Sequence, residues 1–325
     1  MVRERYDLRA AADDRVPTGV RYSGVSAVIE DCDRAQFRED RERVRESGPA
    51  GDVPLVSIVV PVHAADPRHF EAAVKSLIAQ SWPRLEILIV EARGITDDSR
   101  REVPGSRVRY FSFPGPPTQT GQYNFGLDHA AGEYVGRADA DDVYETDRIA
   151  RQVEFLVTHP EVDVVGTALV VIDDEDRLIG ARDYPLDHDR IVAAMPFYNP
   201  IANPSILFRR RILDIARWED RDGLVHARDY DWVSRLALAG AKFANLPDRL
   251  VRYRIHPAGV KTSKLRDSLR ATLEVKKRYW SKQMPALGRI RMIGERLLLL
   301  LPPRLVLWCF VKLVYRARAR SITSS

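Results

Sequence analysis

Between residues 53 and 172 the chain alternates short, nearly uninterrupted apolar runs with stretches of helical periodicity, and this alternation constrains the fold more than any other feature. Residues 53–62 (VPLVSIVVPV) are apolar at odd and even positions alike, as in a strand covered on both faces. Asp66 and Pro67 then read as helix cap and first-turn proline, with Phe70, Val74, Leu77 and Ile78 at helical spacing. Residues 85–90 give a second buried strand, so the pair forms a βαβ unit whose crossover is right-handed in nearly all proteins. A third short strand is expected at 108–111, a helix at 122–131 closed by Gly132, and a strand from Tyr134. A helix capped at Thr146 follows, with Ile149, Val153, Leu156 and Val157 on one face. Residues 162–172 form another apolar strand, ending in a hairpin tip at Asp173-Asp174-Glu175-Asp176. Beyond a loop punctuated by Pro200 and Pro204, a strand at 205–208 and a helix at 229–239 ended by Gly240 complete the pattern. The alternation predicts an α/β fold, a mostly parallel sheet flanked by helices.

The strand from Tyr134 ends in three carboxylates within four residues, Asp139, Asp141 and Asp142. Such acids repel one another and persist at neutral pH only when solvated or balanced by a cation. An acidic turn is often just a solvated loop, whereas the end of a strand in an open α/β sheet is where ligands bind. Both readings stand on these residues alone.

Composition narrows the classes. Net charge is only +5 despite 51 basic residues, because 46 acidic ones are interspersed, and no basic-aromatic patch suggests a nucleic-acid partner. Cys32 and Cys309 lie far apart and outside any CxxC spacing, which argues for a reducing compartment without disulfides or zinc. The start, Met1-Val2-Arg3-Glu4-Arg5, lacks the apolar centre of a signal peptide, so a cytoplasmic location is expected.

Three segments follow from this pass. Residues 1–52 are an Arg- and Asp-rich extension, with a charged helix expected around 34–45, and residues 53–260 carry the α/β domain. Residues 261–325 are helical and amphipathic, with Leu307, Trp308, Val311, Val314 and Tyr315 on one side. Arg289, Arg291, Arg296, Arg304, Lys312, Arg316, Arg318 and Arg320 surround them against the single acid Glu295. That pattern suits peripheral contact at the inner face of the cell membrane, and equally a helix packed on the domain or in a dimer.

The motifs VSIVVPVH at 56–63, SLIAQSWPRLEILIV at 76–90, NFGLDHAAGEYVGRADADD at 124–142 and RDYDWVSRLALAGAKFANLPDRLVRYRIH at 228–256 together resemble family 2 glycosyltransferases of the GT-A fold. The resemblance runs from about residue 55 to 257, with the motifs in the family's order. It implies an inverting, metal-dependent transfer of sugar from a nucleotide-sugar donor to a saccharide or lipid-linked saccharide acceptor. Asp139-Ala140-Asp141 is then the DxD element: Asp139 lies by the ribose and Asp141 holds Mg²⁺ or Mn²⁺, with Asp142 a helper or structural residue.

By the same resemblance Pro61, Val62 and His63 lie against the nucleotide base, and Glu91 takes the place of a carboxylate that receives the base's N–H. Asn124 and Arg137 join the substrate-binding set, Arg137 facing the donor or forming a structural ion pair. Asp229 is the general base that takes the acceptor hydroxyl's proton, and Trp232 an acceptor-side or core aromatic. His256 ends the YRxH segment and reaches the metal or the phosphates. The chain departs from the family at Glu91-Ala92, where one carboxylate is lengthened and the next missing, and at Arg228, where a Glu is usual. Those departures keep a second class open, a catalytically silent protein that binds sugar nucleotides. A dinucleotide-dependent oxidoreductase is disfavoured, because Pro61-Val62-His63-Ala64 follows the first strand in place of GxGxxG.

Overall fold

A computed structural model describes residues 53–63, 65–92, 107–221, 223–255 and 265–300. The expected helix at 34–45 and the apolar-basic stretch at 304–320 lie outside the described residues. In chain order the elements are β1 (Val56–Val62), α1 (Pro67–Ile78), β2 (Leu85–Ala92), β3 (Val108–Phe113), α2 (Gln119–His129), β4 (Tyr134–Arg137), β5 (Val143–Tyr144) and α3 (Arg148–Thr158). They continue as β6 (Val164–Ile172), β7 (Leu178–Arg182), α4 (His188–Ala194), β8 (Leu207–Arg209), α5 (Arg228–Leu238), β9 (Phe243–Arg254), α6 (Leu265–Val275) and α7 (Ala286–Leu298).

The strands form one sheet in the order β3-β2-β1-β4-β8-β6-β9-β5, with β7 paired to β6. From β3 to β4 every pairing is parallel. Beyond β4, antiparallel β8 joins the two halves, and β6 and β9 run parallel. Because β1 leads outward to β2 and β3 on one side and is flanked by β4 on the other, the strand order reverses between β1 and β4. A crevice at the carboxyl ends of those strands is the ligand position such topology favours.

Covering both faces explains the continuous apolar runs. Along β1, Ile58 and Val60 turn to one core with Phe70, Val74 and Leu77 of α1, while Val59 turns to the other with Tyr123 and Leu127 of α2. β2 divides the same way, Ile87 and Ile89 against Leu88 and Val90, as a two-residue repeat requires. The Asp66 carboxylate accepts the Arg68 backbone N–H at 2.9 Å, so the expected cap and first-turn proline of α1 are both present. Gly240 ends α5 with φ +89°, the left-handed conformation glycine tolerates best.

Several boundaries shift for physical reasons. The cap of α3 is Asp147, one residue past Thr146, and it makes no side-chain cap bond. β2 runs on through Glu91 and Ala92, which pair with Ser112 and Phe113 of β3, two residues past the strand expected at 85–90, so Glu91 belongs to a buried strand end. The acidic stretch 173–176 is the β6–β7 hairpin tip, with Asp173 Oδ1 accepting the backbone N–H groups of Glu175 and Arg177 at 3.0 and 2.9 Å.

The core continues past residue 260. Ala271, Val275 and Trp280 are buried in the same cluster as α5. Trp280 Nε1 donates to Ser234 Oγ at 3.0 Å, and the Tyr279 hydroxyl donates to Asp231 Oδ1 at 2.6 Å. Among the described residues no helix is long and apolar enough to cross a membrane.

Gly132, in the connection from α2 to β4, lies close against Ser57 of β1. Its N–H donates to Ser57 Oγ at 2.7 Å, and a Cβ there would meet the Ser57 backbone nitrogen at 2.6 Å and the Tyr134 carbonyl oxygen at 2.7 Å. Backbone on both sides cannot yield as a side chain does. Gly132→Ala is therefore expected to lower stability by about 1–3 kcal/mol, measured by urea unfolding; an unchanged midpoint would refute this account of the junction.

Candidate functional site

The site is built where β4 leaves the sheet. Val135 and Gly136 pair with Phe208 and Leu207 of β8, and Arg137 is the last strand residue. The chain then turns at Asp139–Asp142, and Tyr144 anchors the turn: Asp139 N–H donates to its hydroxyl at 2.6 Å, and the hydroxyl donates to the Asp139 carbonyl at 3.0 Å. Burial, followed by Asp142 and Asp139, pushes the Tyr144 phenol well up, so it remains a hydroxyl able to make both bonds.

Arg137 is buried, and both its Nε and its Nη2 donate to Asp139 Oδ1, at 3.1 and 2.9 Å. Its guanidinium lies over the Tyr123 ring at 4.9 Å. Burial acts to lower its pKa, yet the nearby Asp139, Tyr123 and Asp229 leave it above the ordinary value. Arg137 thus forms the structural ion pair of the two roles left open by sequence, and it lies close enough to Asp229 for that carboxylate to help hold it charged.

Asp142 serves the fold. It is fully buried, and its Oδ1 accepts the Arg254 backbone N–H at 2.8 Å at the end of β9. The Arg254 side chain returns the tie, with Nε donating to the Asp141 carbonyl at 2.9 Å and Nη2 to Asp176 Oδ1 at 2.6 Å. A third arginine lies beneath: Arg148, buried and lowered to about 10 by burial, donates to the Arg137 carbonyl at 3.2 Å and covers the Tyr144 ring at 4.8 Å. The chain's own guanidiniums therefore supply much of the positive charge this acidic turn requires.

Pro61 and Val62 are buried at the end of β1 and His63 is half-buried beside them. Gln122 of α2 secures this edge, its Nε2 donating to the carbonyls of Val62 at 2.5 Å and Val90 at 2.9 Å. Asn124, two residues further along α2, donates from Nδ2 to the Trp218 carbonyl at 2.8 Å.

Asp229 opens α5 half-buried, and Asn199 Nδ2 donates to its Oδ2 at 3.0 Å. Its neighbour Arg228 points elsewhere, with Nε donating to the Val225 carbonyl at 2.8 Å and lying 3.4 Å from Asp220 Oδ1. Asp220 in turn accepts the Thr120 hydroxyl at 2.7 Å. Burial lowers the Arg228 pKa and Asp220 works against it.

Trp232 is fully buried, stacks on Trp218 at 3.7 Å and spends its indole N–H on the Ala216 carbonyl at 3.0 Å. It is a core side chain, out of reach of a ligand arriving from solvent. Asp231, also fully buried, accepts from Arg235 Nε at 2.9 Å in addition to Tyr279. His256 lies outside the described residues.

Sequence reasoning missed Tyr144, Gln122, Asn199 and Arg254. Only Tyr144 carried a local signal, two residues past the acidic turn. The others reach the site through pairing between segments distant in sequence.

Among the described residues no three His, Cys, Asp or Glu side chains gather into a ready metal cage. A cage is unnecessary for Mg²⁺ or Mn²⁺ acting on a diphosphate, since such ions take one or two carboxylates and complete their shell with water and phosphate oxygens. Asp139 and Asp141 are hard oxygen donors of that kind, and both N–H groups of Arg137 fall on a single oxygen of Asp139. The donor set fits.

The chain is similar to known proteins in sequence and fold. Residues 57–215 match the model of Glycosyl transferase family 2. A glycosyltransferase of Haemophilus influenzae is 28% identical over 215 residues, covering 62% of this chain and 66% of its own length. The O-antigen biosynthesis glycosyltransferase WbnJ of Escherichia coli is 24% identical over 222 residues, covering 65% of this chain and 84% of its own. The chain thus spans about two thirds of the first relative and most of the second. In fold it is similar to the mannosyltransferase PcManGT of Pyrobaculum calidifontis, solved with GDP-mannose and Mn²⁺, at TM-score 0.52 and 16% identity over 88% of this chain and 82% of that one. With its motifs in order on a GT-A sheet, the chain belongs, through residues 57–215, to glycosyl transferase family 2.

Proposed function

We propose that the protein is an inverting, divalent-metal-dependent glycosyltransferase that moves a sugar from a nucleotide-sugar donor to a saccharide or lipid-linked saccharide. It works peripherally at the cytoplasmic face of a membrane. The observation that carries this reading is the acidic turn at the carboxyl end of β4, where the buried Arg137 holds Asp139 through two bonds to one oxygen, together with Asp229 held by Asn199 at the start of α5. The relatives' names as glycosyltransferases and the GDP-mannose and Mn²⁺ bound by the mannosyltransferase support the donor class and the ion.

In this reading the donor lies across the carboxyl ends of β1 and β4, its base against Pro61, Val62, His63 and Glu91 and its ribose by Asp139. Asn124 and Arg137 keep the floor of that crevice in place through their bonds to Trp218 and Asp139. Asp141, with His256, would hold Mg²⁺ or Mn²⁺, which would supply charge neutralisation for a departing diphosphate. The acceptor hydroxyl oxygen attacks the anomeric carbon while its proton passes to Asp229, the bond from that carbon to the diphosphate oxygen breaks, and the nucleoside diphosphate leaves. Attack opposite the leaving group inverts the anomeric centre in one step. Asn199 fixes Asp229 by donating to one carboxylate oxygen, so the other is oriented for the proton.

Arg228 bears on the alternative of a silent binding protein. Its guanidinium pairs with Asp220, and the partner of Asp229 is a neutral amide. A working base is therefore compatible with the cation beside it.

Three measurements test the reading. Nucleoside diphosphates and their sugars with Mn²⁺ should raise the melting temperature of the wild type, and Asp141→Ala should abolish the metal-dependent part; a shift equal in both proteins would remove Asp141 as a ligand. Asp229→Asn should lower kcat about 10²–10⁴-fold with donor affinity retained, and full turnover in that variant would eliminate the base assignment. Asn199→Ala should lower kcat about 10–100-fold, as for loss of a hydrogen bond of about 1.5–3 kcal/mol to a charged group. A variant of Asn199 with wild-type kcat would mean that the amide does not position the base.

A further inference from the structure

Helix α7 carries apolar side chains on its outward side as well as its inward one. Gly288, Met292 and Glu295 face the body of the protein, and a Cβ on Gly288 would lie 2.7 Å from Met284 and 3.3 Å from the Phe197 ring. Glu295 is tied down there by Lys276 at 2.5 Å and Arg291 at 3.0 Å. The opposite side, where an amphipathic helix normally places its polar residues, carries Leu287, Ile290, Ile293 and Leu297, continued by Leu300, all 57–78% exposed. A side chain added at Gly294 on that side would meet nothing within 4 Å.

Charge frames this apolar row. Arg289 and Arg296 are exposed along one margin and Arg291 along the other, and the one acid of the helix, Glu295, is already paired inward. The remaining sequence, 301–325, adds Arg304, Lys312, Arg316, Arg318 and Arg320 and no acid. Five large apolar side chains bordered by arginines and without an outward acid match the surface of an anionic bilayer, where acyl chains take the apolar row and phosphates the guanidiniums. A second copy of the chain is a poorer match, because an isologous contact would bring the arginine margins of two identical faces together.

We propose that the outward face of α7 docks on an anionic phospholipid bilayer. This names the membrane contact within the function proposed above and rests on that reading for its purpose. The location is apt for an acceptor held in lipid. Gly288 packs against Phe197, and two residues further along the same loop Asn199 holds Asp229. Docking through α7 therefore brings the acceptor side of the site to the membrane.

Flotation of the full chain with vesicles tests the docking without donor or turnover, so its result is separate from that of sugar transfer. The wild type should float with phosphatidylglycerol–phosphatidylcholine vesicles, more weakly with phosphatidylcholine alone and more weakly at high salt. The double variant Ile290→Asp, Leu297→Asp changes only exposed side chains and should bind anionic vesicles at least tenfold more weakly with an unchanged melting temperature. A second variant, Arg289→Gln, Arg296→Gln, should lose the preference for anionic lipid. Double-variant flotation equal to that of the wild type would overturn the proposal and assign binding to another surface, residues 301–325 included. Failure of the wild type to float would overturn it as well. So would a wild-type dimer in sedimentation equilibrium that the double variant dissolves without any change in flotation.

Discussion

The ion pair between the buried Arg137 and the half-buried Asp139 is the interaction on which the rest of the site depends. A guanidinium taken out of water is costly unless it is paired and fully hydrogen-bonded. Arg137 gains two bonds to one carboxylate oxygen, the face of Tyr123 and the field of Asp229. Through the Tyr123 ring the pair ties the end of β4 to α2. Removing the Asp139 carboxylate would leave the buried Arg137 guanidinium without its ion-pair partner.

The acidic turn shows how a chain can concentrate carboxylates without a cage built in advance. Arg137 takes Asp139, the Arg254 backbone N–H takes Asp142, and the Arg254 side chain takes the carbonyl of Asp141. Arg148 and Tyr144 hold the backbone from beneath. The three acids thus have different structural positions. Asp142 is a buried fastener between the turn and β9, Asp139 is the ion-pair partner, and Asp141 meets Arg254 through its backbone. The same arrangement draws β9 toward β4, although more than a hundred residues separate Asp142 from Arg254.

Around this centre the helices differ in what they present. α1, α2, α3 and α5 bury apolar faces against the sheet, and α6 with Tyr279 and Trp280 closes over α5 through Asp231 and Ser234. α7 turns Gly288, Met292, Glu295 and Leu298 inward and leaves a second apolar row outside. The loop it touches carries the residue that orients Asp229. Surface chemistry at the C-terminal end and proton chemistry at the site are therefore neighbours.

Local sequence determined what depends on periodicity and short-range capping. The runs at 53–62 and 85–90 announced strands covered on both faces, Asp66-Pro67 announced the start of α1, and Gly240 the end of α5, because each is a property of a few adjacent residues. The acidic turn at 139–142 was legible for the same reason, as was Asp229 at a helix start. Tertiary structure alone decided which acids are structural, since Asp142 meets its partner across 112 residues. It alone placed Trp232 in the core, because helical periodicity cannot tell a face turned to Trp218 from one turned to a ligand. It also extended β2 through Glu91, beyond the run at 85–90, by pairing with β3. The outward row of α7 shows the limit most clearly: sequence revealed an amphipathic, basic segment, and only packing against Met284 and Phe197 decided which side of it faces out.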